Sequence, residues 1–136
     1  MALFGALGIA GSGIVLHRKW LDAVSDNLAN MNDAGATSSP AFRARYVLAQ
    51  AVDYGSSAGG VRVAGWAPGG SAAGRVVHEP THPLADADGN VRYPDIDLSS
   101  QMTQLIMAQR GYQANLAVVD RAKESFQAAL QIGRGA

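Results

Sequence analysis

The last third of this 136-residue sequence carries its longest uninterrupted helical pattern, over residues 97–132. Apolar residues recur there at alternating steps of three and four, which places them on one stripe of a helix. No proline lies in this stretch, and Gly111 is its only glycine. At about 1.5 Å per residue such a helix is about 50 Å long, more than the diameter of a small domain, so it needs a partner. The predicted stripe consists of Met102, Leu105, Gln109, Tyr112, Leu116, Val119, Lys123, Phe126 and Leu130.

A second helical stripe with the same spacing lies near the N-terminus. The charged residues Arg18, Lys19, Asp22 and Asp26 fall mostly off this stripe, as expected for a solvent-facing side. We therefore expect the two terminal helices to pair as a coiled coil, within one chain, between chains, or both. The N-terminal stripe consists of Leu7, Ala10, Ile14, His17, Leu21, Val24, Leu28 and Met31.

These two patterns predict a mainly α fold with a small β insert. Long N- and C-terminal helices pair as a coiled coil around a short β-rich or irregular middle segment. The predicted segments are 1–36 for the N-terminal helix, 37–96 for the insert and connector, and 97–136 for the C-terminal helix. The two ends then form one discontinuous domain, and the length suits a single domain.

The insert contains three short stretches that predict strands, at residues 42–48, 61–63 and 75–78, and the first two alternate between apolar and polar residues. Residues 54–60 predict a turn or flexible loop. Residues 65–74 carry four glycines and a proline, and we expect them to be the most flexible part of the chain. Three prolines, Pro80, Pro83 and Pro94, keep the following connector extended.

Composition excludes several classes of function. The chain has 11 basic and 11 acidic residues, so it offers no polybasic surface for nucleic acid or for a membrane anchor. Sixteen glycines and only 7% aromatic residues argue against a large compact core. The absence of cysteine removes disulfides, cysteine metal sites and thiol catalysis.

The N-terminus is apolar, but its first charges, Arg18 and Lys19, follow the apolar run instead of preceding it. This order is a poor match to a cleavable secretory signal. The run is also too short to span a membrane, so we expect no direct membrane insertion. We interpret these residues as the first turns of the N-terminal helix, frayed or dependent on a partner.

Residues 78–82, His-Glu-Pro-Thr-His, formally match the HExxH zinc motif. That motif requires a helix, which puts both histidines on one face and lets the glutamate act as general base. Pro80 lies inside the motif and Pro83 follows it, so a regular helix is disfavoured. A zinc hydrolase is therefore the weaker interpretation.

Residues 86–90, Asp-Ala-Asp-Gly-Asn, resemble the start of a calcium loop. Val91 stands where the loop needs its glycine, and Asp97 stands where it needs a bidentate glutamate. An ordinary Asp-Gly turn is the stronger interpretation. No phosphate loop or nucleophile elbow is present in the sequence, and we predict no catalytic residue, no cofactor and no metal.

Three ordered motifs resemble the bacterial flagellar axial proteins, the family of rod and hook subunits. Residues 27–30, Asn-Leu-Ala-Asn, match the family's N-terminal motif, and residues 110–115 are similar to its R-x-Y-x-A-N signature. The connector, with His82-Pro83, residues 85–91 and Tyr93-Pro94, resembles that of the proximal rod members. The short length suits those members better than the longer distal rod and hook proteins.

This resemblance implies a structural subunit without enzymatic activity. Members of the family are exported from the cytoplasm by the flagellar type III apparatus. They assemble with copies of themselves and with other rod proteins into the periplasmic rod of the basal body. Their terminal helices form the inner tube, which transmits torque from motor to hook. Another flagellar rod protein and a free-standing coiled-coil adaptor are the alternatives.

On this hypothesis the assembly interface uses residues of the two stripes together with asparagines near them. Ordinary packing within one subunit explains the apolar members equally well, and both roles can hold at once. The candidate interface residues are Leu21, Val24, Asn27, Leu28, Asn30, Leu105, Tyr112, Asn115, Leu116 and Phe126.

Overall fold

A computed structural model describes residues 2–55 and 57–134 of the chain. Residues 1, 135 and 136, which the predicted terminal segments include, lie outside the described residues. Two long helices enclose a small β-rich insert, as the sequence predicted, and the insert has four strands. In chain order the elements are α1 (Ala2–Asn30), β1 (Ala44–Tyr54), β2 (Ser57–Gly69), β3 (Arg75–His78), β4 (Asn90–Tyr93) and α2 (Leu98–Arg134).

The two helices pack against each other in antiparallel orientation. Near the start of α1, Phe4 stacks edge-on against Phe126 near the end of α2, with ring centroids 6.4 Å apart. Near the end of α1, the Asn27 side chain donates to Gln101 Oε1 in the first turn of α2, at 3.0 Å. Contacts therefore run in opposite directions along the two helices. Because α2 has 37 residues and α1 has 29, the last turns of α2 extend beyond α1.

Two glycines and two polar side chains set the distance between the helices at the middle of the pair; we call these four residues the glycine lock. The His17 ring of α1 lies directly over Gly111 of α2, where any Cβ would collide with it. The Asn115 side chain of α2 lies over Gly13 of α1, 2.5 Å from where a Cβ would stand. His17 Nδ1 donates to the Gly13 carbonyl at 2.7 Å, and Asn115 Nδ2 donates to the Gly111 carbonyl at 2.8 Å. Each helix thus provides one cavity and one side chain that fills the other's cavity.

We call the line of residues along which the two helices pack against each other the seam. On α2 the seam lies one residue earlier in the chain than the predicted stripe. The buried residues of α2 are Gln101, Ala108 and Ala122, and none of them belongs to that stripe. Small residues at the seam let the helices approach closely, so the larger apolar residues move to its flank. Of the predicted stripe, Leu105, Tyr112 and Val119 are half-buried. The exposed members are Met102, Gln109, Leu116, Lys123, Phe126 and Leu130.

The prediction for α1 agrees more closely with the structure. Ala10 and Val24 of the predicted stripe are buried, and the adjacent Ala23 and Asn27 are buried as well. The other stripe residues are half-buried. Across the described residues the buried apolar core is small and consists mostly of alanine and valine, as the composition predicted. Its members are Ala10, Ala23, Val24, Ala44, Val91, Ala108 and Ala122.

The β1–β2 hairpin is much longer than predicted. Residues 57–60 of the expected loop at 54–60 and residues 65–69 of the expected flexible segment at 65–74 are strand, because β1 and β2 pair antiparallel from Ala44↔Gly69 to Tyr54↔Ser57. Residues 70–74 form the bend and turn that follow β2. Register shifts after Leu48 and Val52 break the alternation that marks a strand in sequence. The Tyr46 ring covers Gly69 on the neighbouring strand, where a Cβ would collide with it. Tertiary pairing has here overridden a glycine-rich composition.

A second two-stranded sheet joins β3 to β4. The prediction placed β3 correctly but treated β4 as part of an extended connector, because Pro80, Pro83 and Pro94 lie around it. Val91 of β4 is fully buried. Arg92 of β4 also bridges to Gly35, with backbone hydrogen bonds of 2.8 and 2.9 Å in both directions. These bonds fasten the segment after α1 to the connector before α2.

The glycine lock predicts that replacing one of its glycines by alanine lowers the stability of the chain, the opposite of the usual effect in a helix. Alanine normally stabilises a helix relative to glycine by about 1 kcal/mol. We expect Gly111→Ala to destabilise the chain instead, by about 1–3 kcal/mol, because its methyl group displaces the His17 ring. Thermal unfolding of the purified chain, followed by circular dichroism, measures the change.

Gly11→Ala is the matched control, since a Cβ at Gly11 of α1 meets no atom within 4 Å. We expect that variant to unfold at a higher temperature than the wild type. Equal stabilisation by both substitutions would contradict the lock.

Candidate assembly surface

A buried asparagine joins three elements of the subunit. Asn27 is fully buried at the end of α1. Its Oδ1 accepts the backbone N–H of Arg45 at 2.8 Å, and its Nδ2 donates to the Arg45 carbonyl at 3.0 Å. The same Nδ2 donates to Gln101 Oε1, and Gln101 Nε2 reaches the Tyr46 hydroxyl at 3.4 Å. The amide of Asn27 therefore pairs with Arg45 as a neighbouring strand would, and it connects α1, β1 and α2.

The hairpin lies against one face of the helix pair. Ser12 Oγ of α1 accepts the N–H of Val61 in β2 at 3.0 Å. Trp20 Nε1 donates to Gln104 Oε1 at 2.9 Å beside a cavity of about 270 Å³ that Tyr46 of β1 also lines. Ser12, Trp20 and Gln104 therefore mark the side of the helix pair that faces the hairpin.

Half of the predicted interface residues lie on the opposite face of the helix pair. Each residue along a helix points its side chain about 100° around the helix axis from the residue before it. Leu21 and Leu28 follow the seam residues Trp20 and Asn27 in this way. On α2, Leu116 follows Asn115 with the same turn. Because the two helices are antiparallel, a step of one residue past the seam points the side chains of both helices to the same side of the pair, away from the hairpin. We call this apolar surface the open face; it contains Leu21, Leu28, Met102, Leu105, Tyr112 and Leu116.

The most exposed side chains of the open face lie on α2. Leu21, Leu28, Leu105 and Tyr112 are half-buried, whereas Leu116 is 39% exposed. Phe126 is 44% exposed near the end of α2, where Phe4 covers part of its ring. The open face thus presents contiguous apolar side chains to solvent, a property associated with interaction surfaces.

The remaining predicted interface residues make contacts within the subunit. Val24 and Asn27 are buried in the seam, and Asn115 is half-buried in the glycine lock. Asn30 Nδ2 donates to the Asp26 carbonyl at 2.7 Å, one turn earlier in α1. Gln101 and Gly13, which the sequence did not single out, belong to the same seam. Gly111 was noticed in the sequence only as an interruption of helical composition.

The HExxH segment does not form a helix. His78 ends β3, and the His82 N–H donates to the Glu79 carbonyl in a turn. Glu79 Oε2 accepts the Tyr93 hydroxyl at 2.9 Å, and this hydrogen bond raises the pKa of the Tyr93 phenol. The histidine side chains do not converge with Glu79 as the motif requires. Within residues 2–55 and 57–134, no three histidine or carboxylate residues gather in a metal-binding arrangement.

The calcium-like segment forms an Asp-Gly turn, as the stronger interpretation predicted. Asp86 Oδ1 accepts the N–H groups of Asn90 and Asp88 at 2.9 and 3.0 Å, and Oδ2 accepts the Thr37 hydroxyl at 2.8 Å. These bonds, that from Asn90 above all and then that from Thr37, hold the pKa of the Asp86 carboxyl below its ordinary value of 3.8. Gly89 takes a positive φ of 77° at the turn.

Comparison with known proteins matches this architecture. Residues 87–132, the connector and most of α2, match the family model described as flagellar basal body rod FlgEFG protein, C-terminal. The chain is 36% identical to the flagellar basal-body rod protein FlgC of Salmonella typhimurium, over 98% of this chain and 100% of the relative. For FlgC of Aquifex aeolicus the identity is 32%, over 93% and 94%. For FlgC of Borreliella burgdorferi the identity is 30%, over 99% and 100%.

Paired terminal helices, a small β insert and these matches define a structural subunit of the flagellar rod. Within that class, the chain belongs to the FlgC family of flagellar basal-body rod proteins. The expectation drawn from the three sequence motifs is confirmed. In the described part of the chain, neither α1 nor α2 has the combined length and apolarity needed to cross a membrane.

The contacts of Asn27 predict that its removal destabilises the chain more than the removal of Asn30. Asn27→Ala leaves the N–H and C=O of Arg45 and the Gln101 amide without their partner inside the subunit. We expect a loss of about 1–3 kcal/mol in the free energy of unfolding. Asn30→Ala is the control, since its amide bonds only the carbonyl of Asp26. Urea unfolding of the two purified variants compares them, and equal losses would argue against the Asn27 contacts.

The hydrogen bonds to the Asp86 carboxylate predict that the stability of the fold depends on pH. Because its folded pKa is lowered, the carboxylate stabilises the fold at pH values above 3.8 and loses this effect as the pH falls through the folded pKa. We expect Asp86→Asn to lower the melting temperature at pH 7 and the difference from wild type to shrink in strong acid. Asp88→Asn is the control, because the Asp88 side chain makes no hydrogen bond to other described residues. A constant difference across the pH range would contradict this prediction.

Proposed function

We propose that this chain is a subunit of the flagellar proximal rod, where it polymerises with copies of itself and other rod proteins into a tubular drive shaft. The open face is the observation that carries this proposal. Its apolar residues lie on the longest elements of the chain; among the described residues Leu116 is exposed and Tyr112 is half-buried. A contact between this face and a different surface of the next subunit does not close on itself, and it generates a helical assembly.

Torque transmission follows from packing, without chemical turnover. The rod must pass rotation through lateral and axial contacts, and long helices with interlocked side chains are stiff elements for that purpose. The lock of His17 with Gly111 holds the two helices at one register. We propose no cofactor, no metal and no catalytic role. The relatives are named rod proteins, and this supports a purely structural function.

The small core supports a route through the flagellar type III export apparatus. Alanine and valine provide most of the buried apolar side chains among the described residues. A subunit with so little burial of its own unfolds at low cost and gains its main burial on assembly. We propose that the free subunit is partly disordered, is exported by that apparatus, and orders in the periplasmic part of the basal body.

Mass spectrometry of detergent-purified hook–basal bodies, compared with the cytosolic fraction of the same cells, tests this function. Enrichment in basal bodies that survives washing with high salt is the expected result. Recovery of the chain only as a soluble cytosolic oligomer would reject the rod function and favour a coiled-coil adaptor.

Leu116 of the open face and Phe126, which is 44% exposed further along α2, predict an assembly defect. We expect the double variant Leu116→Ala, Phe126→Ala to be made at normal levels and to be lost from basal bodies. Each truncation costs about 2–5 kcal/mol if the side chain is fully buried in the assembled rod. Swimming in soft agar and basal-body mass spectrometry measure the defect.

Val118→Ala is the matched control, since Val118 is 46% exposed on α2 but lies on the other side of the helix. We expect this variant to assemble normally. Wild-type assembly of the double variant would show that Leu116 and Phe126 do not pack against a neighbour in the rod.

A further inference from the structure

A groove runs between α1 and β2, on the side of α1 that faces the hairpin. It measures about 470 Å³ and is open to solvent. Val15 and Trp66 in its walls are 58% and 48% exposed. Two cations stand in the same walls. The groove is lined chiefly by Val15, Leu16, Lys19, Val61, Arg62 and Trp66.

The two cations of the groove are only weakly engaged inside the subunit. Lys19 Nζ lies 3.9 Å from Asp22 Oδ2, and both side chains are more than half exposed, so solvent screens this pair. Arg62 donates from Nη2 to the neutral side chain of Gln50 at 2.6 Å. The groove therefore combines an apolar floor, an exposed indole and positive charge that remains available to a partner.

A complementary surface lies on α2. Leu116, Asp120 and Glu124 follow one another at steps of four and share one exposed side of the helix. Like charges at this spacing repel each other within a helix. Neither carboxylate forms an ion pair with the nearby Arg121 or Lys123 among the described residues. This side of α2 thus presents one leucine and two acidic groups whose repulsion a cationic partner would relieve.

We propose that the groove of one subunit receives the Leu116–Asp120–Glu124 side of α2 from a second copy of this chain. Leu116 of the incoming helix packs on Val15 and Trp66. Lys19 and Arg62 face the incoming carboxylates. The contact joins two different surfaces, so it leaves a free groove on one subunit and a free helix side on the other. It rests on the proposed rod function and specifies one lateral contact within it.

Charge and shape both favour a second copy as the occupant. An apolar groove beside cations selects a surface that is apolar and acidic, and this chain carries one on its longest helix. A heterologous contact of this kind continues indefinitely when its rotation does not close a ring. The contact also explains why two acidic residues stand at a repulsive spacing on an otherwise mixed helix.

The absence of cysteine from the chain permits a direct test by crosslinking. Arg62→Cys and Asp120→Cys are introduced together into the full chain, in the source bacterium lacking its own copy. Purified basal bodies are then treated with a short bis-maleimide. We expect a covalent homodimer and longer multimers, which either single variant fails to produce. Arg75→Cys with Asp120→Cys is the control, because Arg75 is exposed on β3, outside the groove.

The outcomes separate the two proposals. Absence of the chain from basal bodies rejects the rod function itself. Presence of the chain without a homodimer, or crosslinking only to a different protein, rejects the second-copy contact and leaves the rod function standing.

A charge exchange provides an independent test in living cells. We expect Lys19→Glu with Arg62→Glu to abolish swimming, because four acidic groups then face one another. Adding Asp120→Lys and Glu124→Lys to the same chain restores swimming if these residues meet across subunits. Abundance of each variant in whole cells is measured in parallel. Normal abundance without restoration overturns the contact, and so does normal swimming of the first variant.

Discussion

The distance between α1 and α2 is set where His17 packs over Gly111 and Asn115 packs over Gly13. Neither side chain fits if the facing residue has a Cβ, so the two glycines determine how closely the helices approach. Each polar side chain also satisfies a carbonyl of its own helix, which holds it in the position that fills the facing cavity. Most coiled coils set their register with interdigitated large apolar residues. Here two cavities and two polar side chains perform that task.

A seam made of small residues has a consequence for the surface of the subunit. Ala108 and Ala122 occupy positions where a typical coiled coil places leucine. The larger apolar residues of α2, such as Leu116, therefore lie on the flank of the seam and face solvent. A subunit built in this way is compact enough to hold its shape, but it leaves much of its apolar area for neighbours. The same arrangement that limits the core of the free subunit provides the contacts of the assembly.

Asn27 couples the β insert to this helix pair. Its buried amide exchanges two hydrogen bonds with Arg45 and one with Gln101, so the hairpin cannot tilt without breaking bonds in a buried site. A buried amide is costly when unsatisfied, and here its donor and acceptor atoms all have partners. The Asn-Leu-Ala-Asn motif was recognised in the sequence, but its role could not be derived there. Nothing in the spacing of residues reveals that Asn27 pairs with a strand almost 20 positions away.

The prediction of strands shows a similar limit. Residues 75–78, which carry two adjacent β-branched valines, were predicted correctly as a strand. Most of β2 was predicted as loop because glycines and register shifts interrupt the pattern that marks a strand. Pairing with β1 satisfies the backbone of β2 and outweighs its weak intrinsic preference. The strand β4 was treated as part of an extended connector because Pro80, Pro83 and Pro94 lie around it, although Val91 within β4 is fully buried.

The sequence by itself determined that long helices stand at both ends of the chain and that they pair around a small insert. It also determined the family, because three motifs occur in the right order. Only the tertiary structure decided which side of each helix turns inward. Periodicity shows which residues share a side of a helix, but the side that meets the partner depends on how closely the backbones approach. That distance was decided by two glycines and the side chains above them, and it moved the seam of α2 by one residue and left the open face to solvent.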